Sequence, residues 1–125
     1  MSRPDAIAPD GSEIYFKVGN AERASLVEVR LGRGRVSRPV RHRTVEEIWY
    51  VTAGRGRVWR QASGGPGETV EVQPGDALQI PAGCAFQFAA GAEAELVFAC
   101  FTSPPWPGEE EAILLPEGGL GPPTV

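Results

Sequence analysis

The sequence predicts an all-β fold, a sandwich or barrel of short strands. Three observations carry this. About nine or ten apolar or alternating runs follow one another at roughly 8–12-residue spacing, each bounded by turn residues. The 16 glycines and 12 prolines are scattered as punctuation along most of the chain. No useful window repeats its apolar residues with a period of 3.6, except "GEEEAILL", which has room for one helical turn.

In chain order, residues 1–10 read as a loose terminus and "APDGSE" as a turn. "EIYFKVG" is a short strand and "NAERA" another turn. "SLVEVRLG" alternates, with Val27, Val29 and Leu31 on one face. "GRGRVSRPV" breaks the pattern. "EEIWYV" and "GRVWRQ" flank "TAGRG" and read as a β-hairpin. "ASGGPGE" is a loop and "TVEVQ" a strand. "PGD" suits a turn, with Pro74 pre-set and Gly75 free to take positive φ. "ALQI" is a strand ended by "PAG". "AFQFAA" puts Phe86 and Phe88 on one face, and "AELVFACFTS" is the last clear strand. "PPWPG" cannot be a central strand. Trp106 is expected to anchor the tail to the barrel, with "EGGLGPPTV" frayed beyond it; the alternative reading makes the tail a lid.

A chain of 125 residues is most simply one domain. The expected core is about residues 24–102, with a Pro/Gly-rich tail over about 103–125. Two cysteines are too few for a disulfide scaffold, and Cys100, inside "ELVFACF", reads as a small core residue. The start lacks an apolar h-region and the chain lacks an 18-residue apolar run, so a cytoplasmic protein with reduced thiols and no membrane partner is expected.

The net charge of −4 argues against nucleic acid as a partner. Its distribution is uneven. Residues 30–60 carry nine arginines against Glu46 and Glu47, whereas residues 61–125 carry nine acids and no base. Two readings stand: an arginine face for an anionic ligand, or two blocks on neighbouring strands that neutralise each other.

The informative segment is "PVRHRTVEEIWYVTAGRGRV", residues 39–58. It holds the single histidine, His42, five residues before Glu47. The strand after Glu47 is apolar on both parities: Trp49 and Val51 share the Glu47 side, Ile48 and Tyr50 the other. Such a strand needs cover on both faces. One face is the barrel interior; a second sheet, the N-terminal strand or a partner subunit covers the other. A homodimer is expected.

Six residues separate Glu47 from Gly54, and four separate His42 from Glu47. "GDALQIPAG" places Gly75, Pro81 and Gly83 at intervals of five and one intervening residues. In these two motifs the chain resembles the cupin superfamily, the double-stranded β-helix or jelly-roll barrel. In that pattern His42 falls on the second histidine of the first motif, Val40 stands at the first, and Phe86 stands at the histidine of the second motif.

Many cupins hold Fe, Mn, Ni or Zn with three histidines and the glutamate. The resemblance therefore implies a metal, but this chain offers only His42 and Glu47 for it. Two protein ligands seldom hold a transition metal, so no cofactor is expected and a divalent metal is weakly supported. Cys84, on the parity of Phe86, is the least implausible extra ligand. The resemblance also implies that the lost positions point into the barrel, where Val40 and Phe86 would dry the cavity. Three readings of His42 and Glu47 remain open: a buried pair that satisfies itself, polar anchors for a small organic ligand, or an acid–base pair or partial metal site in an isomerase, cyclase or dioxygenase. The candidate pocket is Val40, His42, Glu47, Trp49, Phe86 and Phe88. A sensor or structural cupin with a filled barrel is the third functional class. Glu47 favours a protonated His42 and burial opposes it.

Overall fold

Strands assemble here by filling two sheets, and each strand has only two edges to offer. The structure, a computed structural model, describes residues 3–125. Strands β1 (Ala6–Ile7), β2 (Glu13–Val18), β3 (Ser25–Leu31), β10 (Leu96–Ser103), β5 (Glu46–Ala53) and β8 (Ala77–Ile80) lie in that order in one sheet. Strands β11 (Ala112–Leu114), β4 (Val40–His42), β9 (Ala85–Ala90), β6 (Gly56–Gln61) and β7 (Gly67–Val72) make the second. All neighbours are antiparallel. The all-β jelly-roll expectation holds. The short strands β1, β4 and β11 are additions, each too brief to show a period of two.

Alternation decides which side chains enter the core. On β5 Glu47, Trp49 and Val51 are buried, and Ile48 and Tyr50 are exposed. On β10 Leu96, Phe98 and Cys100 face inward. Trp49 stacks on Phe98 with ring centroids 4.1 Å apart, and both meet Phe88 edge-on. Among the described residues no helix is long and apolar enough to cross a membrane.

The expected hairpin between "EEIWYV" and "GRVWRQ" does not form. Both edges of β5 are occupied, by β10 and β8, so β6 has no edge of β5 to join. The chain turns a corner at Gly54 and enters the other sheet. Gly54 has φ of 78°, and a Cβ there would collide with the carbonyl of Glu95. The true hairpin is β6–β7, closed around "ASGGP".

The ends also differ from expectation. The N-terminal segment is tied down: β1 pairs with β2, and the Asp5 carboxylate accepts from the Phe16 amide. "GEEEAILL" gives one 3-10 turn, Glu109–Glu111, and then strand β11 against β4. The C-terminal tail is docked rather than frayed, for a reason that lies in β9. That strand is buried at every residue. Its Phe86 and Phe88 enter the core, while Gln87 faces outward and is covered by the tail. The Gln87 amide nitrogen donates to the Ser37 and Gly121 carbonyls, and its oxygen accepts from the Leu120 amide. These bonds use both donors and one acceptor site of a fully buried amide. Gly119 lies against the Trp59 ring so closely that a Cβ would collide with it. Within the single chain β9 is the strand covered on both faces, while Ile48 and Tyr50 of β5 stay exposed.

Candidate functional site

His42 is the last residue of β4, and Glu47 is the second of β5. The register sets Glu47 beside Thr102 of β10 and Ile80 of β8. His42 pairs with Ala112 of β11. The two candidate side chains thus come from different sheets and meet between them. His42 Nδ1 lies 3.8 Å from Glu47 Oε2. That is too long for a hydrogen bond. Among the described residues His42 Nδ1 has no hydrogen-bond partner, although the residue is only 4% exposed. A buried polar atom left unpaired costs about 1–3 kcal/mol. The far oxygen of Glu47 is better served: Oε1 accepts from Trp49 Nε1 at 2.8 Å.

A cavity of about 170 Å3 opens at this pair. Its walls are mostly apolar, from Ile14, Val27, Val29, Val40, Trp49 and Phe98. The N-terminal segment, from Ala6 through Asp10 and Ser12 to Phe16, contributes a further wall, with Trp106 beside it. Val40, His42, Glu47 and Trp49 of the expected pocket line this space; Phe86 and Phe88 do not. Phe86 lies opposite Val40 across the β4–β9 ladder, and its ring packs edge-on against His42 at 5.1 Å and Trp49 at 5.6 Å. It fills the barrel behind the pair instead of walling the cavity. Trp106, expected as a tail anchor, also packs edge-on against His42, at 5.0 Å.

Burial sets the charges. It pushes the Glu47 carboxyl up to about 7, against the pull of the Trp49 hydrogen bond and the Cys100 thiol; the nearby Asp10 carboxylate pushes the same way as burial. Burial also lowers His42 to about 4, with only the charge of Glu111 opposing it. The competition left open by the sequence is won by desolvation. Near neutral pH the imidazole is uncharged and Glu47 is close to its midpoint. Asp10 is likewise raised by burial, against hydrogen bonds from the Ser12 amide and hydroxyl. Cys100 is pushed well above its ordinary value, first by burial and then by Glu47, so it is a thiol and not a thiolate.

Sequence reasoning overlooked several cavity residues. Cys100, read as plain core, lines the cavity, whereas Cys84 does not. Both cysteines are free. Asp10 and Ser12 lay in a segment read as terminus and turn. Thr102 sits beside Glu47, its hydroxyl bonded to that of Ser25. Glu111 orders the loop between His42 and Glu47: its carboxylate accepts from the Thr44 amide at 2.6 Å, the Thr44 hydroxyl at 2.8 Å and the Val45 amide at 2.7 Å. Its only sequence signal was membership of an acidic run. Among the described residues no arginine or lysine lines the cavity. Arginines instead pair with acids elsewhere, Arg30 with Glu28 and Glu95, and Arg60 with Glu68 across β6–β7.

The geometry and the motifs agree with one family. Residues 27–102 match the cupin domain. The chain belongs to the cupin family. Similar solved structures include KdgF from Halomonas sp., with a TM-score of 0.69 and 23% identity over 82% of this cupin and 86% of that chain. Oxalate decarboxylase from Bacillus subtilis has a TM-score of 0.69 and 23% identity over 75% of this cupin and 24% of that chain. The coconut allergen cocosin has a TM-score of 0.70 and 23% identity over 82% of this cupin and 29% of that chain. This cupin therefore spans less than a third of the last two. Likeness at this identity concerns the fold alone. No curated protein matches the chain.

The family often holds a metal, so the donor set matters. Among the described residues no three His, Cys, Asp or Glu side chains form a group able to hold a metal ion. His42 and Glu47 supply two donors, and the Phe86 ring stands against His42 where the family pattern has another histidine. This donor set does not fit the three-histidine centre.

Proposed function

We propose that this cupin binds a small organic molecule in its barrel, anchored by His42 and Glu47, without a three-histidine metal centre. One observation carries the reading: a cavity of about 170 Å3 reaches a buried His42 whose Nδ1 lacks a partner among the described residues. A barrel filled by its own side chains would have neither feature. Mostly apolar walls with a few placed polar groups are the usual make-up of a ligand site. The test is a ring-sized fragment screen by NMR on tag-free protein, repeated on Val27→Phe, which adds a ring at a lining position. Shifts around His42 and Glu47 that vanish in the variant support the reading. A screen without such shifts returns the chain to the structural or sensor class.

A second reading, proton-transfer catalysis, has its own support. Glu47 is raised and His42 lowered, so the pair offers a carboxylic acid and a neutral base within one cavity. Exchange of a bound ligand's carbon-bound hydrogen with solvent deuterium, absent in Glu47→Gln, is the outcome this reading requires.

We also propose a homodimer through the outer face of the first sheet. Ile48 (48% exposed), Tyr50 (52%) and Phe101 (42%) adjoin there, with Phe101 directly opposite Ile48. Light scattering of wild type and Ile48→Glu tests it: a monomer in both sinks the idea.

A further inference from the structure

The walls and the polar pair together restrict what the cavity accepts. Its volume, about 170 Å3, is close to that of engineered apolar cavities of roughly 150 Å3 that bind benzene. One six-membered ring with a small substituent is the size that fits. The formal charges that line it are the acids Asp10, Glu47 and Glu109, with no lysine or arginine to balance them. A carboxylate or phosphate would lose its hydration and meet only like charges or neutral groups. His42 Nδ1 and Glu47 Oε2, 3.8 Å apart, are too far to bond each other. One oxygen placed between them can bond both.

We propose that the ligand is an uncharged, ring-sized molecule with one hydroxyl, a phenol or cyclic alcohol, whose oxygen bridges His42 Nδ1 and Glu47 Oε2. This rests on the ligand-binding reading above and adds its chemical class. A hydroxyl suits the gap because it donates once and accepts once. With a neutral imidazole and a carboxyl near its midpoint, the pair can offer one donor and one acceptor in return. The ring occupies the space between Val29, Val40 and Trp49.

The test is calorimetric titration of tag-free protein at pH 7 with phenol, benzene and benzoate. Phenol is expected to bind about thirtyfold tighter than benzene, the gain of two hydrogen bonds. Benzoate, the same ring with a charge, is expected to bind at least about tenfold more weakly than phenol. In His42→Phe the advantage of phenol over benzene should fall to about fivefold, that of the one bond left to Glu47 Oε2. Should that variant fail to fold, the wild-type comparison still decides: phenol no tighter than benzene overturns the bridge. Benzoate as tight as phenol overturns the uncharged class and leaves the ligand-binding reading standing. No binding by any of the three overturns both.

Discussion

Replacing Glu47 by glutamine removes a titrating group from the centre of the cavity and leaves its shape almost unchanged. Glu47 is 7% exposed, and folding moves its carboxyl from 4.5 to about 7. The folded state thus holds the proton more tightly than the unfolded one. The resulting stability is fully present below pH 4.5 and is lost as pH rises through about 7. At about 1.4 kcal/mol per pH unit, the interval corresponds to about 3 kcal/mol. Glutamine cannot ionise, and its oxygen can still accept from Trp49 Nε1. Relative to wild type, Glu47→Gln should therefore gain about 3 kcal/mol between pH 4.5 and pH 8.5. With an unfolding entropy of about 2.1 cal/mol/K per residue over 125 residues, that gain is about 11 °C in Tm. Urea denaturation of both proteins across this range measures it. His42, Asp10 and Cys100 also face Glu47, but they are present in both proteins and cancel to first order. A stability difference that stays constant with pH would refute the reasoning, since it would mean that Glu47 is as well solvated folded as unfolded.

His42 has the opposite sign. Its folded pKa of about 4 lies below the model-peptide value of 6.5, so the unfolded chain takes the proton first and stability is lost as pH falls from 6.5 toward 4. His42→Phe should remove about 3 kcal/mol of that acid-side loss, readable in the same urea series. Glu111→Ala strips the partner from the buried Val45 amide and from two Thr44 donors that water can partly reach. The expected cost is about 3 kcal/mol, or about 11 °C in Tm by calorimetry. Gly119→Val should push the tail off Trp59; hydrogen exchange at the Leu120 amide should then accelerate by about tenfold or more, and an unchanged rate would contradict the close packing. Elemental analysis of tag-free protein and of His42→Ala should find no stoichiometric transition metal in either; metal present only in the wild type would overturn the reading of the donor set.

The barrel was legible because its signals are local. Alternation in "SLVEVRLG", the glycine–proline framework at Gly75, Pro81 and Gly83, and the parity of Glu47 and Trp49 are all properties of neighbouring residues. The pairing of β5 was not legible, because a two-residue link through Gly54 suits a hairpin and a corner equally; the choice depends on β10 and β8 taking both edges of β5. The site divides in the same way. His42 and Glu47 stood out as a motif remnant. Asp10, Cys100 and Glu111 did not, because each joins the site through a contact across distant chain segments. The Cys100 side chain reaches Glu47 because β10 neighbours β5, and Glu111 reaches Thr44 because β11 adds itself to β4.

The docked tail bears on how the cavity breathes. Val125 packs against Gly11, and its carbonyl accepts from Arg38 Nε; the Arg38 amide in turn donates to the carbonyl of Asp10, which lines the cavity. The last residues of the chain and the wall over the cavity are thereby joined by a run of hydrogen bonds. A ligand that fills the cavity and steadies Asp10 is therefore expected to slow hydrogen exchange at the Thr124 amide, bonded to the Val36 carbonyl; an unchanged rate would show that tail and cavity wall open independently.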